Sequence, residues 1–303
     1  MKRKKRLNFL DIEEKPSAKA QVVIVPFGFE ATTCYGKGTK NGPNAIIKAS
    51  AHVEFFDEEL WQETYKKVNI TTTASVKPAK NVGAAKKQIA KIIGEILRAK
   101  KLPIILGGEH SITPFIIEEY KKHFDDFSIL QFDAHADLRN EYLDQKYSHA
   151  CAMRRCLDFP GINLVQAGIR SIANEEGELN FWQENQHRIK TFWAKDVCEW
   201  RKIHANCAHA NKKIDKIVKG LKENVYISFD VDVFDSGIMP STGTPEPGGL
   251  DWHETMDILR VVCAKKKIIG ADFVELSPIK NFPAPDFLVA KLIYKTIGYV
   301  FNN

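Results

Sequence analysis

Short β-branched runs alternate along the chain with longer amphipathic stretches, the pattern of a parallel sheet covered by helices on both faces. Gln21 to Pro26, Leu102 to Leu106, Phe127 to Phe132, Ile162 to Ala167, Val225 to Phe229 and Ile268 to Val274 read as strands. Several are continuous apolar runs, as strands buried on both faces require. Between them, Val82 to Lys100 reads as a helix with Ala85, Ile89, Ile92, Ile93, Ile96 and Leu97 on one face and lysines on the other. Ile112 to His123, Lys212 to Glu223, Trp252 to Ala264 and Pro285 to Tyr299 are further helix predictions. The predicted fold class is α/β with a mostly parallel central sheet. No repeat, low-complexity tract or Pro/Gly/Ser linker divides the chain, so residues 21–303 read as one domain behind a basic N-terminal extension, residues 1–20. Asp235 to Gly249 carries three prolines and four glycines soon after a strand and reads as a functional loop. Thr71 to Lys80 reads as a plain surface connection.

Composition narrows the class. With 303 residues, 44% hydrophobic and 27% charged, the chain has ample material for its own core, which excludes disorder and coiled coil. A net charge of +6 is mild for this length and implies no nucleic-acid partner. The basic run Met1 to Arg6 precedes only a short apolar stretch, Leu7 to Leu10, whereas a secretion signal needs about 7 to 15 apolar residues there. No window approaches the roughly 18 uncharged residues of a membrane span. Six cysteines (Cys34, Cys151, Cys156, Cys198, Cys207 and Cys263) form no C-x-x-C pair, which reads as reduced thiols in a cytoplasmic protein. Cys151 and Cys156 read as packed thiols, and Trp182, Trp193, Trp200 and Trp252 as core or subunit-contact residues.

The polar residues concentrate where predicted strands stop, the ends that border the ligand crevice of a parallel sheet. Gly107-Gly-Glu-His-Ser-Ile-Thr113 follows one strand, Asp133-Ala-His-Ala-Asp137 a second, Asp230-Val-Asp232 a third and Glu275 a fourth. In extended backbone, Asp133, His135 and Asp137 fall on one side, and Asp230 and Asp232 repeat the spacing. Carboxylates gathered in one crevice repel unless cations or protons neutralise them. With His110 the set offers four carboxylates, two imidazoles and no thiolate. That chemistry suits divalent ions such as Mn(II), with iron, nickel or cobalt also admissible, and disfavours structural zinc. Six ligands are too many for one catalytic ion and about right for two, which together can activate water for hydrolysis. Gly107 and Gly108 read as a tight turn that aims His110 back at this cluster.

GGEHSIT (107–113), FDAHADLR (132–139), SFDVDVFD (228–235), TGTPEPGGL (242–250) and FVELSP (273–278) resemble the ureohydrolase family of arginases and agmatinases. YGKGTKNGPNAI (35–46) resembles the family's N-terminal substrate-side loop, and YSHACAMRR (147–155) is similar to the agmatinase branch. The resemblance implies a three-layer α/β/α fold, two Mn(II) ions and hydrolysis of a guanidinium to urea and an amine. It implies that His110, Asp133, Asp137 and Asp230 bind one ion and that Asp133, His135, Asp230 and Asp232 bind the other. Four aspartates, two divalent ions, a hydroxide and Glu275 would leave net negative charge for a small cationic guanidine. The resemblance further implies that Glu275 holds the guanidinium, that Asp137 orients the nucleophile, that His149 shuttles the proton, and that the chain forms a trimer or hexamer.

Agmatine is the expected substrate, because residues 138–147 lack the Ser/Asn-rich character of an arginase loop. Glu141 or Asp144 is expected to face its distal ammonium. Arg139 points the other way, toward arginine or a guanidino acid such as guanidinobutyrate. A mononuclear zinc deacetylase-like hydrolase would share the general fold but leave ligands surplus.

Overall fold

The computed structural model describes residues 7–13, 17–175, 177–202 and 207–302. Its strands are β1 Val22–Phe27, β2 Phe56–Asp57, β3 Gln62–Glu63, β4 Ile70–Thr72, β5 Leu102–Gly107, β6 Phe127–Phe132, β7 Ile162–Ile169, β8 Ile189–Trp193, β9 Asn224–Asp230 and β10 Lys267–Val274. β2 and β3 form a small antiparallel hairpin. The other eight build one parallel sheet in the order β4-β1-β5-β10-β9-β6-β7-β8.

Alternation along each strand divides the core between the two faces of this sheet. Val22 and Ile24 join a buried cluster with Ile46, Ile47, Leu259, Leu292 and Ile293. Val23, Val25 and Phe27 join a second with Ile89, Ile93, Phe115, Ile116 and Met153. Helices Gly42–Ser50, Trp252–Lys265 and Ala284–Val300 therefore cover one face, and Val82–Arg98, Thr113–Tyr120 and Ala152–Cys156 the other. This is the three-layer α/β/α arrangement. Asn81 caps the second layer's first helix by accepting from the Ala84 amide, and Asp251 with Glu254 forms a reciprocal capping box at Trp252.

Every predicted strand is present, with ends shifted by up to two residues. Two edge strands lie outside the predictions. β8 has a half-exposed, polar-interrupted IKTFW sequence, and β4 takes in Thr71 and Thr72, so the segment from Thr71 begins as sheet rather than as a surface connection. The predicted Ile112–His123 helix is an α-helix over Thr113–Tyr120 entered through a 3-10 turn at His110–Ile112. Within the N-terminal twenty residues, Phe9 and Leu10 are buried in the core, and the Leu10 amide donates to Ser50 Oγ. Met1 to Arg6 lies outside the described residues. Cys151 and Cys156 are buried, free thiols. Trp182 and Trp193 pack on each other and Trp252 lies against the first core cluster, while the Trp200 side chain is outside the described ones. Among the described residues no helix is long and apolar enough to cross a membrane.

Candidate active site

The four polar clusters lie at the carboxyl ends of β5, β6, β9 and β10, which are the four contiguous central strands of the sheet. Crossovers thus assemble in space what the chain separates by up to 165 residues, as between His110 and Glu275. His110, His135, Asp137, His149, Asp230, Asp232 and Glu275 all line one cavity of about 250 Å³. Asp133 lies fully buried beneath it.

Local backbone aims each carboxylate. Asp133 accepts the His135 amide on Oδ1 at 2.6 Å and the Gln131 side chain on Oδ2 at 2.7 Å. Asp230 Oδ1 accepts the Asp232 amide at 2.9 Å, and Asp232 Oδ1 accepts the Ala134 amide at 3.0 Å. Extended backbone does continue past β6, since His135 bridges Ser171 beside β7. The alternation fails at Asp137, whose φ of 55° is left-handed. That turn still brings Asp137 Oδ2 to 3.0 Å from His110 Nδ1. Gly108 is required by close approach, not by a turn: a Cβ there would meet the Phe29 carbonyl oxygen at 1.9 Å, and its φ is not positive. The same backbone holds Glu275, at a φ of 65°, through the bond from the Glu275 amide to the Gly108 carbonyl.

The surroundings of His110 reveal what the site is built to hold. Its Nε2 lies 2.9 Å from Ser228 Oγ, whose own proton goes to Asp272 Oδ1. Nε2 therefore donates, and Nδ1 presents a lone pair. Facing that lone pair are Asp137 Oδ2 at 3.0 Å, Asp133 Oδ2 at 3.2 Å and Asp230 Oδ2 at 3.5 Å, yet Nδ1 has no partner in hydrogen-bonding geometry. Four converging electron-pair donors without a proton between them call for a cation. Two groups have their ligand atoms close enough to share an ion, His110-Asp133-Asp230 and Asp133-His135-Asp232, with Asp133 common to both. His135 Nδ1 is 3.0 Å from Asp232 Oδ2, and its Nε2 looks to Glu246 Oε1 at 3.6 Å.

Without cations, protons take their place. Burial and the Asp133 charge push the Asp137 carboxyl up to about 7. Burial and Asp232 hold Asp230 well above the carboxylate range, and burial and Glu109 do the same for Glu275. Burial alone would lower His110 and His135, but the neighbouring aspartates leave both well above the ordinary imidazole value. Burial would raise Asp133, yet the two histidines draw it below its usual range.

Other residues reach the site without having been legible as site residues. Arg170 donates to the Asp232 carbonyl at 2.7 Å and the Glu246 carbonyl at 2.8 Å, which ties the 235–249 loop to the end of β9. That loop supplies Gly243 and Thr244 to the cavity wall. Glu141 and Asp144 do not face the cavity. Mutual backbone bonds between Tyr142 and Gln145, with Leu143 and Asp144 at left-handed φ, turn these acids outward. Tyr142 instead turns inward, edge-on to His149, with the Arg139 guanidinium 4.7 Å over its ring. An acid of the wall outside the strand-end clusters is Glu178, buried, accepting from the Leu138 amide at 2.7 Å and the Ala173 amide at 2.6 Å. Glu275 Oε1 accepts the His110 amide at 2.6 Å, which leaves Oε2 as the oxygen free of this backbone bond.

Residues 20–298 match the sequence profile of the Arginase family. The chain is 35% identical over 298 residues to N(1)-aminopropylagmatine ureohydrolase of Synechocystis sp., covering 96% of this chain and 93% of the relative. It is 32% identical over 283 residues to agmatinase of Pyrococcus horikoshii, covering 92% of each. Among solved structures, agmatine ureohydrolase of Thermoplasma volcanium superposes with a TM-score of 0.81 at 27% identity, covering 95% of this chain and 92% of that one. The chain belongs to the arginase family, as its motifs resembled, and it is an amidinohydrolase.

Proposed function

We propose that the chain hydrolyses agmatine to putrescine and urea at a pair of divalent cations, in the first instance manganese. The observation that carries this reading is the His110 Nδ1 lone pair facing carboxylate oxygens of Asp133, Asp137 and Asp230, with Glu275 in the same cavity. His110, Asp133, Asp137 and Asp230 would hold one cation and Asp133, His135, Asp230 and Asp232 the other. Such a pair supplies a water nucleophile at neutral pH and polarises the group under attack. The chain's own residues do the rest. Glu275 holds the guanidinium nitrogens through Oε2, and Asp137 accepts a hydrogen bond that orients the attacking water. Burial keeps His149 below the ordinary imidazole range, so it is neutral near pH 7. It takes up the proton released as water adds to the guanidinium carbon and returns it to the departing amine nitrogen.

The distal cavity favours a second cationic group over a carboxylate. Glu178 is a buried acid of the wall outside the strand-end clusters, and agmatine carries an ammonium where arginine carries an α-carboxylate. An aminopropyl extension of agmatine is the second reading, supported by the names of relatives in Synechocystis sp. and Thermus thermophilus. Arg139 over Tyr142 is the feature that would instead serve arginine or guanidinobutyrate.

The test is urea release by the manganese-loaded protein from agmatine, N(1)-aminopropylagmatine, arginine and 4-guanidinobutyrate in parallel. The expected result is the highest kcat/KM on agmatine. Preference for the aminopropyl compound selects the second reading, preference for either acid assigns Arg139 to carboxylate recognition, and no urea from any of them overturns the proposal. His149→Asn is expected to retain both metals by elemental analysis and to lower kcat roughly 100-fold or more, the usual scale of a lost acid–base group.

A further inference from the structure

Behind His149 lies a chain of groups that joins Glu109 of the first strand-end motif to Thr32, a residue outside all four. Glu109 is fully buried, and its carboxylate accepts four hydrogen bonds. Oε2 takes the Ala31 and Thr32 amides, both at 2.7 Å. Oε1 takes the Thr32 hydroxyl at 2.9 Å and the Ser111 hydroxyl at 2.5 Å. The Thr32 proton is therefore committed to Glu109. What Thr32 Oγ1 has left is its two lone pairs, and two nitrogens face them: the His149 amide at 3.1 Å, which donates, and the His149 ring nitrogen Nδ1 at 3.2 Å.

A hydroxyl carries one proton and two acceptor sites, and here each is assigned. Nδ1 must then carry a hydrogen, because two lone pairs facing each other at this distance would repel. Ser148 Oγ, at 3.4 Å from Nδ1, can share that hydrogen as a second acceptor. On the other side of the ring, Nε2 is 3.7 Å from the Cys34 sulfur, which can donate or accept and so leaves the assignment to the Thr32 side.

We infer that Glu109 and Thr32 are positioning residues that lock His149 as the Nδ1–H tautomer, so that its basic nitrogen, Nε2, faces the reaction cavity. The assignment of a catalytic consequence rests on the proposed role of His149; the tautomer itself does not. The logic is that of a carboxylate orienting an imidazole in a hydrolytic triad, with a threonine hydroxyl interposed between acid and ring. A ring in the opposite tautomer would present a hydrogen to the cavity where the proton relay needs an acceptor.

The experiment compares the parent protein with Thr32→Val, which keeps the shape and removes the hydroxyl, and Thr32→Ser, which restores it. Ring-15N-histidine NMR reads the tautomer, with His149→Asn identifying the signal among the nine histidines. The parent and Thr32→Ser are expected to show protonated Nδ1 and a bare Nε2, and Thr32→Val a mixture. With agmatine, Thr32→Val is expected to lose about 10- to 100-fold in kcat, the scale for outer partners of a functional histidine, at unchanged KM and metal content. Thr32→Ser should recover most of that loss. A parent spectrum with protonated Nε2, or a Thr32→Val protein with parental tautomer and kcat, overturns the inference. If the parent tautomer is as assigned but His149→Asn turns over normally, the tautomer stands and the shuttle reading of His149 fails.

Discussion

Asp133→Asn is expected to lower metal-supported urea release by roughly two to four orders of magnitude, with both metals lost or greatly weakened. Asp133 is the residue common to the two candidate ion-holding groups, so one substitution removes a ligand charge from each. A charge-assisted contact contributes about 1.5–3 kcal/mol, and two of them account for that span in rate or affinity. The amide keeps the shape, so the fold should be retained, and elemental analysis beside circular dichroism separates metal loss from unfolding. Asp125→Asn, on an exposed turn, serves as the control and should leave turnover unchanged. Parental metal content and turnover in Asp133→Asn would remove Asp133 from the centre of the site.

The metal-free protein is expected to fall in melting temperature as pH rises from 6 to 9, while the two-cation form holds steady. The sign follows from which state binds more protons. Asp137, raised to about 7, together with Asp230, Glu275, His110 and His135, all hold protons more tightly folded than unfolded. The stability these groups contribute is complete below their unfolded values, near 4 for the acids and 6.5 for the imidazoles, and is lost as pH rises through the folded values. Asp133 is shifted the other way, but its gain is complete well below neutrality. Cations replace the protons, so manganese affinity should rise across the same range, with proton release measurable by calorimetry in buffers of differing ionisation heat. A metal-free melting temperature that is flat or rises with pH would contradict the arrangement of buried like charges.

The strand-end clusters were legible because apolar runs that stop at Asp133, Asp230 and Glu275 leave acids where a parallel sheet opens. Their gathering in one crevice was expected from that placement, but the order of strands was not, because adjacency in the sheet comes from crossovers that place β10 and β9 between β5 and β6. The arrangement of the site was legible only as far as periodicity carries: Asp133 and His135 follow extended alternation, whereas Asp137 reaches His110 through a left-handed residue that no alternation predicts. Glu178 and Arg170 act through main-chain amides and carbonyls, which leave no mark in residue order. Glu141 and Asp144 misled for the same reason, since a turn between Tyr142 and Gln145 decides which way they face. Thr32 gains its role only when residues 77 and 117 positions away close on it.

The proposed reaction needs two cations, held by the strand-end aspartates and histidines, acting together on a guanidinium. Manganese titrated into the metal-free protein, with urea release from agmatine followed throughout, separates this from any one-ion or metal-free chemistry. The expected result is no urea from the metal-free protein and a plateau reached at two equivalents per chain. Turnover without metal, or a plateau at one equivalent, would contradict it.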